Sequence, residues 1–238
     1  MTDARTGTAP EDQSPTRERR KELLEREIMD KACTLFAEKG FGGTSLTDIA
    51  DAVGLTRAAV YYYFKNKEAL LEAIVNEVSS APLKESIEWL KTAPEGATER
   101  LHSFVRMRVV SVLSHQVQMK MIGVTEASLP EDLAQRHNAS KRKILHEYRE
   151  LIRRGIQSGE FRPVDDRIAA LAIIGMGTWS VQWYNPDRGP SAAEIADQIA
   201  DLSVASVAVE RSLRDRFSSP EAAIQTLRED IEHLSKLI

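Results

Sequence analysis

Residues 44–64, TSLTDIADAVGLTRAAVYYYF, constrain the fold more than any other stretch, because each punctuation mark in them has a structural meaning. Ser45 has a side-chain oxygen able to accept from the orphan amides of a following helix, and Asp48 adds negative charge in its first turn. Ile49, Ala50 and Val53 form an apolar face. Gly54 then stops the helix, since glycine takes the left-handed backbone of a C-terminal cap at no steric cost. Thr56 caps a second short helix that runs through Val60 to Phe64. A helix, a glycine turn and a second short helix form a helix-turn-helix, whose second helix enters the DNA major groove.

The rest of the chain reads as helix, without strand-like alternation. One helix is expected over about Thr16–Lys39, stopped by Gly40, with Leu24, Ile28, Ala32, Leu35 and Phe36 on one stripe. Asn66 caps another, which ends before Pro82. Further helices are expected over Leu83–Lys91, Thr98–Ser114 and Gln116–Ala127, then from Pro130 to Ser158–Gly159. Asp165 or Asp166 opens the apolar run DRIAALAIIGMGTWSVQWY. After the loop NPDRGP, Ser191 and Glu194 make a capping box for a helix through about Arg211. The expected class is all-α, with a three-helix DNA-binding domain followed by a second helical domain. The boundaries are a disordered tail over 1–15, the DNA-binding domain over 16–66, the second domain over 67–213, and an amphipathic helical extension over 214–238.

The 238 residues are 42% hydrophobic, enough for a packed core, and no apolar run is long enough to span a bilayer. The N-terminus lacks a signal-peptide core, so a cytoplasmic protein is expected. The single cysteine, Cys33, excludes an internal disulfide and reads as a small buried hydrophobe. Net charge is −4, so any attraction to DNA is local. Arg17, Arg19, Arg20 and Lys21, then Arg57, Lys65 and Lys67, supply it. The five histidines show no i,i+4 pair, and HExxH, GxSxG, GxGxxG and Walker patterns are missing. No catalytic residue, metal or cofactor is assigned.

Residues 40–70 follow the pattern G-F-x-x-T-[ST]-x-x-x-I-A-x-x-x-G-[VL]-[ST]-x-x-x-[VLI]-Y-x-[YH]-F-x-[ND]-K-[ED]-x-L, which resembles the TetR family of transcriptional regulators. The resemblance spans roughly residues 20–75. It implies that the C-terminal domain is a helical ligand-binding and dimerisation domain, and that the protein is a homodimer on a double-stranded, pseudo-palindromic operator, released by a small-molecule effector. Ser45, Thr47, Thr56, Arg57, Ala58, Ala59, Tyr61, Tyr62, Tyr63 and Lys67 are the expected DNA-binding residues. Arg57 suits a guanine edge, Tyr61 and Tyr63 offer hydroxyls to phosphates, and Lys67 suits a phosphate at a helix N-terminus. For Tyr63, a core position is the competing reading.

The string GMGTWSVQWYNPDRGPSAAEIADQIADL resembles a branch of the family that responds to acyl-coenzyme A thioesters in fatty-acid or sterol catabolism. On that reading an apolar pocket involves Phe104, Met107, Met119, Trp179, Trp183 and Tyr184. Trp179 and Trp183 read equally as core or dimer-interface aromatics. Arg106, Arg108, Arg153 and Arg154 read as solvated helix faces before phosphate ligands. The helices on either side of NPDRGP are the expected dimer interface. A regulator of drug efflux that binds lipophilic drugs, and a DNA-associated protein without small-molecule control, are the alternatives.

Overall fold

The computed structural model describes residues 15–209, together with Ser219, Ile224, Gln225, Leu227, Arg228, Ile231 and Ser235. Among residues 15–209 the helices are α1 Pro15–Lys39, α2 Leu46–Val53, α3 Arg57–Tyr63, α4 Lys67–Val78, α5 Ser80–Leu90, α6 Ala97–Ser114, α7 Gln116–Thr125, α8 Glu131–Gln157, α9 Asp166–Trp183 and α10 Ala192–Val207. A 3-10 turn, Glu126–Ser128, follows α7. No helix is long and apolar enough to cross a membrane among the described residues.

The chain divides into two compact units. One holds the residues up to Ile74 with Met121–Ser128, and the other holds Val75–Lys120 with the residues from Leu129 onward. In the first unit α2 packs on α1 and on α3. Ile28, Ala32, Cys33 and Phe36 of α1, Ile49 and Ala50 of α2, and Val60 of α3 are buried together with Leu70 and Ile74. Gly40 closes α1 in the left-handed region at φ 73°. The buried Thr44 hydroxyl then donates to the carbonyls of Gly40, at 3.0 Å, and Leu35.

The core of the second unit gathers Leu101, Phe104, Val105 and Val109 of α6 with Tyr148, Leu151 and Ile152 of α8, Ala170 and Ile173 of α9, and Ile195, Ala196 and Ala200 of α10. The loop after α8 is locked from three sides. Glu160 accepts from the amides of Ala97 and Thr98, and so caps α6. Phe161 is buried against Gly155, where an added Cβ would collide with its ring. The same loop pairs Phe161 with Ala208 in an isolated antiparallel bridge.

Three boundaries depart from expectation. Pro82 does not separate two helices; it lies inside the first turn of α5, where a missing amide costs nothing, and the break falls at Ser79. The last major helix stops at Val207, short of Arg211, because Ala208 is extended and joins the bridge to Phe161. Residues 126–128 tighten into a 3-10 turn and do not continue α7. The expected tail over 1–15 falls outside the described residues except for Pro15. Most of the 214–238 extension does too, while Ile224, Leu227 and Ile231 are helical and exposed.

Candidate functional site

The helix-turn-helix is assembled from local caps. The Ser45 hydroxyl accepts from the Asp48 amide at 3.1 Å, and the Asp48 carboxylate accepts from the Ser45 amide at 2.8 Å. The Ser45 hydroxyl also donates to the Asp48 carboxylate, and that bond first, then the one from the Ser45 amide, holds the Asp48 carboxyl below the usual carboxylate range. Gly54 ends α2 at φ 76°, in the left-handed backbone its position demands. Thr56 accepts from the Ala59 amide at 3.2 Å and starts α3. Asn66 does the same for α4 through Ala69, at 2.7 Å.

α3 is anchored by one side and open on the other. Val60 and the Phe64 that follows it are buried, whereas Thr56, Arg57, Ala58, Tyr61 and Tyr62 are exposed and Ala59 and Tyr63 are half-buried. Tyr62 is 74% exposed, a wide aromatic face turned to water. Tyr63 meets it edge-on, with ring centroids 5.3 Å apart, which accounts for its intermediate burial. Arg57 folds along its own helix. It donates to the Tyr61 hydroxyl at 3.2 Å, and its guanidinium lies 5.2 Å from the Tyr61 ring centroid. The pair presents one planar donor group beside one hydroxyl, the combination that reads a base edge and touches the adjoining backbone. Thr47 is exposed on α2.

Two residues of the expected DNA-binding set have other tasks. The Ser45 hydroxyl both accepts from the Asp48 amide and donates to the Asp48 carboxylate, so its hydrogen-bonding capacity serves the cap. Lys67 is half-buried, and its ammonium donates to the carbonyls of Phe41, at 2.5 Å, and Thr44, at 2.8 Å. It also lies 4.4 Å from the Phe41 ring centroid. Two of its three protons therefore staple the loop that leads into α2. Arg19, Arg20 and Lys21 are exposed on the first turns of α1, inside the helix expected there. Arg17 lies in the same helix.

In the second unit the six residues expected to line one pocket separate into two groups. Phe104 is fully buried, stacked edge-on against Tyr148 at 4.9 Å and beside Trp89 at 5.7 Å. Met107, Met119 and Tyr184 are partly buried around the same core. The Gln116 amide fixes the end of α9 by donating to the carbonyls of Val181 and Tyr184. Trp179 and Trp183 are 68% and 54% exposed, and so do not join Phe104. They continue a stripe along α9 that includes Ile168, with Leu202 exposed on α10.

One of the arginines also departs from expectation. Arg106 is paired with Asp197, and Arg153 with Glu150 and Asp166, as solvated faces should be. Arg108 instead is only 9% exposed and lines a small cavity with Tyr148. It stands within the stripe Leu101, Phe104, Val105, Val109, Val112, where helical spacing calls for an apolar residue. That misfit was the available sequence signal.

Residues 28–74 match the family model of bacterial regulatory proteins of the tetR family, and residues 94–207 that of the tetracyclin repressor-like C-terminal domain. The chain is similar to the HTH-type transcriptional repressor KstR2 of Mycolicibacterium smegmatis. The two are 30% identical over 202 residues, covering 80% of this chain and 91% of that protein. Among solved structures it resembles the TetR family regulator PfmR from Thermus thermophilus, with a TM-score of 0.65 and 28% identity over 77% of this chain and 99% of that one. It also resembles AibR, whose structure was solved in complex with isovaleryl coenzyme A and operator DNA. There the TM-score is 0.59 and the identity 28%, over 75% of this chain and 97% of that one.

Proposed function

The chain belongs to the TetR family of bacterial transcriptional regulators, not to a family of enzymes, and from that premise we propose a dimeric repressor that leaves its operator when an acyl-coenzyme A binds. The observation that carries the DNA-binding half is the exposed face of α3, where Arg57, Tyr61 and Tyr62 stand clear of the core that Val60 and Phe64 hold. In the proposed division of labour residues 16–66 contact DNA, while residues 67–213 bind effector and partner. Arg57 and Tyr62 meet base edges, and Thr47, Thr56, Tyr61 and Tyr63 meet the backbone. Ala58 and Ala59 allow close approach.

The dimer reading rests on the apolar stripe. Ile168, Leu171, Trp179 and Trp183 on α9 and Leu202 on α10 are all at least 49% exposed, a face that a lone subunit would leave in water. Gly175 and Ala205 beside them permit close helix approach. A second copy offering the same stripe buries both, as two-fold symmetry requires. Two such subunits, acting in the cytoplasm, place their recognition helices in successive turns of a pseudo-palindrome.

An acyl-coenzyme A effector is favoured by AibR, which was solved with isovaleryl coenzyme A, and repression by KstR2, a repressor 30% identical to this chain. Release requires that the effector bind the DNA-free form more tightly than the DNA-bound form. The test is selection of operators from random duplexes by the full chain, then anisotropy of the enriched duplex during titration with isovaleryl, octanoyl and longer acyl-coenzyme A thioesters. Enrichment of a two-fold symmetric sequence, released by at least one thioester, is expected. Release by lipophilic drugs alone would overturn the effector reading and leave the regulator standing.

A further inference from the structure

Arg108 and Tyr148 share a feature that the packing of the second unit does not account for. Both are buried, one on α6 and the other on α8, and both line a cavity of about 30 Å3. Among the described residues neither the guanidinium nor the phenol has a hydrogen bond, and the guanidinium has no ion pair. The nearest compensation is Glu85, an exposed residue of α5 that attracts the guanidinium without bonding to it. Burial pushes the Arg108 guanidinium below its usual value, against the pull of the Glu85 carboxylate. Burial likewise pushes the Tyr148 phenol up to about 12, so it keeps its proton at neutral pH and acts as a donor.

A buried cation without a partner is costly, and proteins seldom keep one unless something else completes it. The remaining walls are chemically selective. Val109 and Val112 of α6, Ile144 of α8 and Ile174 of α9 are apolar, and the exposed Thr178 stands at the rim. The cavity therefore has two donor-bearing side chains, Arg108 and Tyr148, in a lining that is otherwise mostly apolar. Its present volume suits a couple of waters or one carboxylate group. Ile144 and Ile174 are only half-buried, so an attached hydrocarbon chain has side chains to displace on the way out.

We propose that Arg108 and Tyr148 form an anion subsite that takes the carboxylate of an apolar ligand, with the hydrocarbon body between α6, α8 and α9. The proposal deepens the effector reading above and rests on it only for the consequence to DNA. Two sources present this chemistry: a free aliphatic acid, and an acyl-coenzyme A whose acyl chain ends in a second carboxylate. The charged hydrogen bonds of an arginine–carboxylate pair supply the orientation.

The experiment uses the full chain and four probes: octanoate, suberyl-coenzyme A, methyl octanoate and octanoyl-coenzyme A. Binding is read by calorimetry and by the melting temperature, which rises with ligand by mass action. At least one of the two carboxylate probes should bind tenfold or more tightly than its counterpart without a free carboxylate. Arg108→Met should abolish that preference, and Tyr148→Phe should weaken it severalfold. Without ligand, Arg108→Met should melt no lower than the parent, since removing an unpaired buried charge relieves a cost; a merely structural arginine would show a fall. Failure of both carboxylates to bind, equal binding of the neutral counterparts, or a preference that survives Arg108→Met would overturn the proposal. Operator release is scored separately. Carboxylate binding through Arg108 without release supports the subsite and overturns the effector reading.

Discussion

Replacing Lys67 with methionine keeps the length of the stem and removes only the ammonium, which makes it a direct test of what that cation does. In the folded chain it donates to the carbonyls of Phe41 and Thr44 and lies over the Phe41 ring. A hydrogen bond from a charged donor contributes about 1.5–3 kcal/mol when removal strands its partner, and a partly exposed cation–π contact about 0.5–1 kcal/mol. Lys67 is half-buried, so water re-solvates part of what is lost, and the contributions are not additive. A net cost of about 2–4 kcal/mol to the loop before α2 is the working figure, equivalent to roughly 30- to 1000-fold more frequent local opening. Amide exchange is the assay, because it reads residues 41–53 separately from the second unit. A phosphate contact predicts something different: unchanged exchange, and a salt dependence of operator binding shallower by about 0.9 for each phosphate lost. If Lys67→Met leaves exchange intact and flattens the salt slope, the staple reasoning is wrong and the phosphate assignment is right.

Arg57→Ala should weaken operator binding by about 1–3 kcal/mol and relax preference at one base pair per half-site, checked by anisotropy on base-substituted duplexes. Leu202→Glu or Ala205→Glu should yield monomers in sedimentation and lose operator binding, because a charge on the apolar stripe would be buried without a partner. Gly155→Ala would be neutral or helpful in an open helix, but here the new methyl meets the Phe161 ring. It should cost about 1–3 kcal/mol of stability by overpacking, read as a lower melting temperature. Acid should destabilise the chain through the carboxyls of Asp48, Asp166 and Glu194, each held below its ordinary value by its bonds to Ser45, Arg149 and Ser191 respectively. Their contribution is present above the unfolded value and lost as pH falls through the folded one, so melting temperature should drop below pH ~4. Asp48→Asn should reduce that drop.

What the sequence makes legible is what a residue settles with its near neighbours. The Ser45–Asp48 and Ser191–Glu194 boxes and the Gly54 stop each act over three or four residues, and the helix ends they set match expectation. Contacts between distant parts of the chain are not written in such spacings. Lys67 reaches carbonyls 26 and 23 positions away, so its place at a helix N-terminus spoke for a phosphate while its tertiary surroundings spoke for a staple. The early end of α10 has the same origin, a bridge to Phe161 that no local preference at Ala208 announces. Trp179 and Trp183 show that periodicity identifies a face but not what covers it: four-residue spacing put them together, and only their exposure separates them from Phe104. Arg108 is the instructive case. Counting charges on a helix rich in them makes every arginine a solvated one, yet the apolar stripe of α6 passes directly through position 108. When periodicity and residue type disagree, solvation cannot satisfy both. A cation that the period forces inward must find a partner inside, and where the chain supplies none, the position itself argues for a ligand.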